Sequence, residues 1–344
     1  MASVEAQAAP GRRSLAGRRL RLGDVVLVGV AGLAAAGAVA LVVLIAVEVT
    51  QQAWPAIRHF SFGFLTQQSW VPNVGHEVYG AASFLFGTTV TSFIALALAG
   101  PLAIAIGLYL TELAPRFLRG PVTALVETLA AIPSVVIGLW GILVLGPFLR
   151  DHVEPWLHRV VGFVPLFGQP SSSGSGVFTA IVVLTIMILP IVAAVSRELF
   201  LAVPRELKEA ALALGTTRWE MTRAVVFPYA RGGIVAGLML GLGRAVGEAI
   251  AVTQVIGGIT GTSGVHWNLF GNGDTLASKL AASYQGATTH MQTASLMYLA
   301  VILLVFSLVV NLLAQWIVRR FGRSGEQAGF SKIAAKSQTA GAAS

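Results

Sequence analysis

The sequence predicts an all-α integral membrane protein with six transmembrane helices, and three observations lead there. Of 344 residues, 55% are hydrophobic and only 11% charged, where a soluble domain carries about 25% charged residues. Mean hydropathy is +0.77. Six separate stretches are apolar over about 20 residues or more, the length a helix needs to cross roughly 30 Å of hydrocarbon. So little charge cannot cover a water-facing surface, and bilayer is the solvent that fits. On a soluble protein the formal net charge of +8 would suggest nucleic acid. Here the basic residues sit beside apolar stretches, the pattern of membrane orientation. The absence of cysteine excludes a disulfide framework, a thiolate metal site and a cysteine nucleophile.

The expected spans are Val25–Val47, Ala82–Leu110, Val122–Leu149, Val177–Val195, Gly232–Ile256 and Ala294–Val318. The first carries no charge between Asp24 and Glu48. It is too long for a signal-peptide core and no A-x-A site follows it, so an uncleaved anchor is expected. Its outer loop, about 51–79, holds Trp54, Trp70 and Tyr79, which suit an interfacial aromatic belt. Pro101, Pro133 and Pro190 fall within spans two, three and four, where a kink is tolerated. Glu127 reads as the solvated end of span three. Gln169–Gly176 is a flexible turn. Between spans five and six, residues 267–281 are compatible with a short outer helix, and Asn272-Gly273-Asp274 is a turn signal.

Basic residues divide the loops into two sides. Arg12, Arg13, Arg18, Arg19 and Arg21 precede span one, and Arg116 and Arg119 follow span two. Six more, from Arg197 to Arg231, join spans four and five; Arg319, Arg320, Arg323, Lys332 and Lys336 follow span six. The other side has Arg58, Arg150, Arg159 and Lys279. Positive charge marks the cytoplasmic side, so both termini are expected inside. The layout is then a basic cytoplasmic tail (1–24), first span and outer loop (25–80), a five-helix core (81–320) and a disordered cytoplasmic tail (321–344).

The cytoplasmic loop 198–231 is built to project. Pro204 suits the first position of a helix and Gly215 the residue beyond its end. Leu207, Ala210, Ala211 and Leu214 form one apolar stripe at i, i+3, i+4, i+7. Thr217 and Glu220 make a capping box that opens a second helix, which Pro228 is expected to end. A surface-lying amphipathic turn is one reading. Docking onto a partner protein is the other, favoured because Ala210 and Ala211 bind lipid weakly and allow close approach.

Span five holds the deepest charges, Arg244 and Glu248. At i and i+4 they share one face, within about 20° of the middle of the stripe Gly233, Gly237, Gly241 at roughly 100° per residue. Small residues so arranged admit another helix, so the pair is expected to face protein or pore. Ionised groups in a span mark transport paths, although a structural ion pair is the plainer alternative. An Arg fork suits oxyanions. Glu248 could limit how tightly the anion binds or accept a hydrogen bond from a P–OH group. No Gly-Lys-Ser/Thr run exists to cradle ATP phosphates. No cofactor or metal is expected.

Two segments resemble known patterns. Glu209-Ala210-Ala211, Gly215, Val225, Phe227 and Pro228 are similar to the EAA-x3-G-x9-I-x-LP signature of ABC importer permeases, with Val and Phe in place of Ile and Leu. GRAVGEAIAV, from Gly243, resembles the GRAxGE-x-x-AV element of phosphate importer permeases. The run 131–141 and Trp70, Pro72 and Tyr79-Gly80 resemble the PstC-type subunit of the phosphate-specific transport family. That resemblance implies a type I (MetI-like) core formed by the last five spans in a prokaryotic inner membrane. It implies Arg244 and Glu248 in transport, and ATPase coupling through Glu209, Ala210, Ala211, Gly215 and Pro228. Implied partners are a second, PstA-like permease subunit, two PstB-like ATPase subunits, a PstS-like periplasmic or lipid-anchored phosphate-binding protein, and membrane lipid. Sulfate, molybdate or phosphonate are alternative substrates. A secondary transporter would show inverted repeats or an ionisable relay, and a membrane scaffold would show no uptake.

Overall fold

The computed structural model describes residues 22–341 except 74, 76 and 260–266. The five N-terminal arginines and His76 therefore lie outside the described residues. Helices account for nearly all of the regular structure, and the bridges Val71–Val78 and Gly257–Gly273 are isolated. Six helical segments are long and apolar enough to span a membrane, which makes this a multi-pass membrane protein.

The chain divides into two units at Glu48 and Val49. In the first, helix α1 (Leu22–Phe60) presents apolar side chains such as Leu33 and Leu44 outward. The second unit starts with the last turns of α1 and the short α2 (Gly63–Thr66). Its spans are α3 (Ala82–Leu113), α5 (Ser134–Val161), α6 (Val177–Leu201), α8 (Arg218–Gly247) and the first part of α11 (His290–Gly341). Between them lie α4 (Arg116–Ala131), α7 (Arg205–Ala213), α9 (Ile250–Val255) and α10 (Leu276–Ser283). Helix α6 is the centre: Ile181, Leu184 and Ile188 are at most 1% exposed, packed with Ala95 and Ala99 of α3 and Val252 and Val255 of α9; Val192, also fully buried, packs with Ala103 of α3.

Two expectations are corrected. Span three is Ser134–Val161, because Ile132 before Pro133 is extended (φ −66°, ψ 128°); proline's ring disfavours helix at the residue ahead of it. Residues 122–131 belong instead to α4, together with Glu127. Trp70 and Tyr79 are core rather than interface, at 3% and 0% exposure. Their rings meet at 4.8 Å, and Trp70 reaches Phe84 of α3 at 5.5 Å. Trp54 alone of the three stays exposed. Helix α11 is assigned from His290 to Gly341.

Candidate functional site

The fifth span does not run unbroken from 232 to 256. Helix α8 ends at Gly247, and Glu248 is extended (φ −74°, ψ 115°). The Glu248 N–H reaches back to Ala245 O at 3.4 Å. Helix α9 then begins at Ile250, and Glu248 Oε1 accepts the Ala251 N–H at 3.3 Å. Gly247 weakens helix at that point, and the carboxylate satisfies an orphan donor of the next one. Arg244 and Glu248 therefore do not share one helical face. The four ion pairs among the described residues join Arg150–Asp151, Arg197–Glu198, Lys208–Glu112 and Lys279–Asp274, and none includes Arg244 or Glu248.

The glycine stripe does bring a helix close, as its spacing predicts. A methyl group on Gly237 would lie 2.9 Å from Val195 Cγ1, and one on Gly241 2.7 Å from Val192 Cγ2, both on α6; Gly233 meets Leu199. One turn beyond, Arg244 leaves that contact and is exposed. It lines a cavity of about 340 Å³ with Ile191, Met239, Leu240, Gly243 and Asn311. An uncovered guanidinium with no carboxylate on it has its donor fork available to an oxyanion.

The loop between α6 and α8 folds as two short helices. Helix α7 stops before Gly215, whose φ of +82° is a left-handed turn that glycine adopts without strain. Thr217 and Glu220 form the capping box, with the Thr217 N–H donating to Glu220 Oε2 at 2.8 Å. Pro228 does not end the second helix. The chain passes through a π turn at Thr222–Val226 into Phe227–Gly247, and this wide turn accommodates a residue that lacks an N–H. Glu209, Ala210, Gly215 and Pro228 are exposed and Ala211 half-buried. Leu214 is 86% and Trp219 63% exposed, so the loop leaves apolar surface uncovered. Lys208 anchors it: its Nζ donates to Glu112 Oε1 at 2.6 Å and to Phe200 O at 3.1 Å. One turn of the loop is thereby tied to the ends of α3 and α6.

Sequence reasoning missed a buried charge pair on the opposite side of the bundle, counting Lys279 as an outer-loop charge. Lys279 and Asp274 are 5% and 4% exposed, with Nζ 3.7 Å from Oδ2. Lys279 Nζ donates to Ile259 O at 3.0 Å and lies over the Trp70 and Phe84 rings at 5.5 and 5.4 Å. Asp274 accepts from Ser278 Oγ at 2.7 Å and from the Ile259 N–H at 3.2 Å. Burial pushes the Asp274 carboxyl above its usual range and the Lys279 ammonium below its own. The pair fixes the segment after the broken span against α3 and the first outer loop. The only sequence signal for it is Trp70, an aromatic in a loop with a cation to cover. Among the described residues no group of His, Asp and Glu could hold a metal ion.

The broken fifth span, the projecting helical loop and the five-span bundle together define the membrane subunit of a binding-protein-dependent importer. Residues 103–323 match the family of binding-protein-dependent transport system inner membrane components, and the chain belongs to that family, in its PstC-type phosphate permease branch. It is 39% identical over 307 residues to the phosphate transport system permease protein PstC of Mesorhizobium japonicum, covering 88% of this chain and 92% of that one. To the PstC of Pasteurella multocida it is 42% identical over 272 residues, 78% and 82% of the two chains. Among solved structures, a bacterial alginate ABC transporter aligns over 88% of this chain and 98% of its own (TM-score 0.53, 15% identity). The MetNI methionine ABC transporter aligns over 69% and 94% (TM-score 0.50, 20% identity). At these identities the structures speak to fold alone, and that fold is the MetI-like one.

Proposed function

We propose that this chain is one of two permease subunits of an ATP-driven importer of inorganic phosphate, with both termini in the cytoplasm. Its partners are a sister, PstA-like permease, two PstB-like ATPase subunits and a PstS-like binding protein that delivers phosphate from outside. ATP is hydrolysed on the separate ATPase, which docks on the exposed apolar surface around Leu214 through the Glu209–Gly215 helix. Likeness to PstC proteins favours phosphate over other oxyanions.

One observation carries the reading: Arg244, in a membrane span, is exposed to a cavity without an ion-pair partner among the described residues. A cation in that setting needs an anion or water, and its planar fork matches phosphate oxygens. The test is uptake of labelled phosphate at low concentration by cells lacking this chain, complemented with wild type or Arg244→Gln. Wild type rescues uptake even with excess sulfate or molybdate, and the variant at equal membrane level loses about tenfold or more, the cost of a charge-assisted hydrogen bond. Equal rescue by both forms overturns the role of Arg244. No rescue by an assembled wild type overturns the substrate.

A further inference from the structure

The cavity at Arg244 does not end there. Asn311 lines it and also lines a second cavity of about 490 Å³ with Gln315 and Arg319; Met239 and Leu240 are common to both. The two form one groove between α8 and α11. Asn311, Gln315 and Arg319 fall at i, i+4 and i+8 on α11, hence on one face, and descend about 12 Å toward the basic end of the span. All three are exposed in this chain. Asn311 sits next to the turn that carries Arg244, since a methyl group on Gly243 would lie 3.8 Å from Asn311 Oδ1.

Amides do not face hydrocarbon when alternatives exist. Polar groups in a span face the bundle interior or a water-filled cavity. Two carboxamides in register, bounded at both ends by a guanidinium, are therefore unlike a lipid-facing surface. The charged side chains lining the groove, Arg244 and Arg319, are both cationic, so the groove suits an anion. Conduction also requires that binding be weak enough to release. Neutral amide donors between two cations supply hydrogen bonds without a full charge, the multi-site arrangement that lets an ion leave.

We infer that Asn311, Gln315 and Arg319 continue the anion path from Arg244 to the cytoplasmic face, with the two amides as intermediate hydrogen-bond donors to phosphate. The inference rests on the proposed phosphate reading, and the test separates the two. The chain has no native cysteine, so Asn311→Cys, Gln315→Cys and Leu313→Cys can each be made singly; Leu313 is 55% exposed on α11 but lines neither cavity.

Inside-out vesicles holding the whole importer are treated with an anionic, membrane-impermeant methanethiosulfonate. The two groove positions react roughly tenfold or more faster than Leu313→Cys, as a positively charged cleft concentrates an anion, and inorganic phosphate slows them. In parallel, Asn311→Leu and Gln315→Leu lower the maximal uptake rate about tenfold while the half-saturating concentration, set on the binding protein, stays within about twofold. Reaction no faster than Leu313→Cys, with phosphate import by wild type intact, means the stripe is covered by protein and overturns the path. So does loss of the sister subunit from purified Leu variants. Fast labelling protected by sulfate and not phosphate, in an importer that moves no phosphate, keeps the path and removes the substrate.

Discussion

Removing the ammonium of Lys279 should destabilise the folded chain more than any comparable change outside the spans. Two unit charges 3.7 Å apart attract by about 4.5 kcal/mol at an effective dielectric near 20. Lys279→Met keeps the volume, so the loss is electrostatic: Asp274 is left ionised at 4% exposure, and Ile259 O loses its donor. Breaking a buried pair from one side costs about 3–5 kcal/mol, in line with the Coulomb figure. Thermal unfolding of the purified importer in detergent reads this as a fall of roughly 5 °C or more. Asp274→Asn in the same chain removes the stranded charge and recovers at least about half of the loss. The pH dependence has a defined sign. Burial already raises the Asp274 carboxyl above its ordinary 3.8 against the opposing pull of Lys279, and the variant removes that pull. A carboxyl raised in the folded state contributes stability that is present below its unfolded pKa and lost as pH climbs through the folded one. The deficit of Lys279→Met is therefore smallest in acid and grows toward neutrality. A single variant as stable as wild type, or a double variant no better than the single, would refute the argument.

Three further outcomes follow from the other contacts. Gly237→Leu drives a side chain into Val195, where even a methyl group has only 2.9 Å, and costs about 3 kcal/mol; assembled protein in the membrane falls, whereas Gly120→Leu, with open space around it, leaves it unchanged. Lys208→Met frees the α7 loop from Glu112 and Phe200. Under the proposed coupling, ATP hydrolysis by the purified importer then persists while uptake per ATP drops, and unchanged stoichiometry would remove the clamp from the mechanism. Glu248→Gln retains an acceptor for the Ala251 N–H, so α9 starts as before. Gln also offers N–H donors to an unprotonated oxyanion, so sulfate competes better against phosphate in this variant; unchanged discrimination sinks a role for Glu248 in sensing P–OH.

What was legible in the sequence was one-dimensional. The stripe at 233, 237 and 241 and the box at 217 and 220 depend on spacing along one helix, and both stand in the structure. The span count follows from composition in the same way. What was hidden depends on residues brought together from afar. Trp70 and Tyr79 suit either an interface or a core, and only Phe84 and Lys279, reached by folding a loop back, decide between them. Lys279 and Asp274 are five residues apart, a separation with no helical signature, so neither announced the other. Pro133 was visible, but whether a proline kinks a span or separates it from another helix turns on what packs beside it. Here Gly138 of α5 lies against Ala251 of α9, which holds the span that starts after the proline.

The break at Glu248 changes what the two charges of span five can do. In an unbroken helix, Arg and Glu four residues apart would lie within reach of one another, and a carboxylate on the guanidinium fork would occupy the donors an oxyanion needs. The structure stabilises each charge with backbone instead. Arg244 sits in the last turn of α8, where the unpaired carbonyls carry partial negative charge, and Glu248 accepts the Ala251 N–H. A cation so placed is compensated enough to persist in a span, yet keeps its fork open to the cavity. Within the proposed assembly this explains why the helix is interrupted at the one place where an unbroken helix would have closed the site with the protein's own anion.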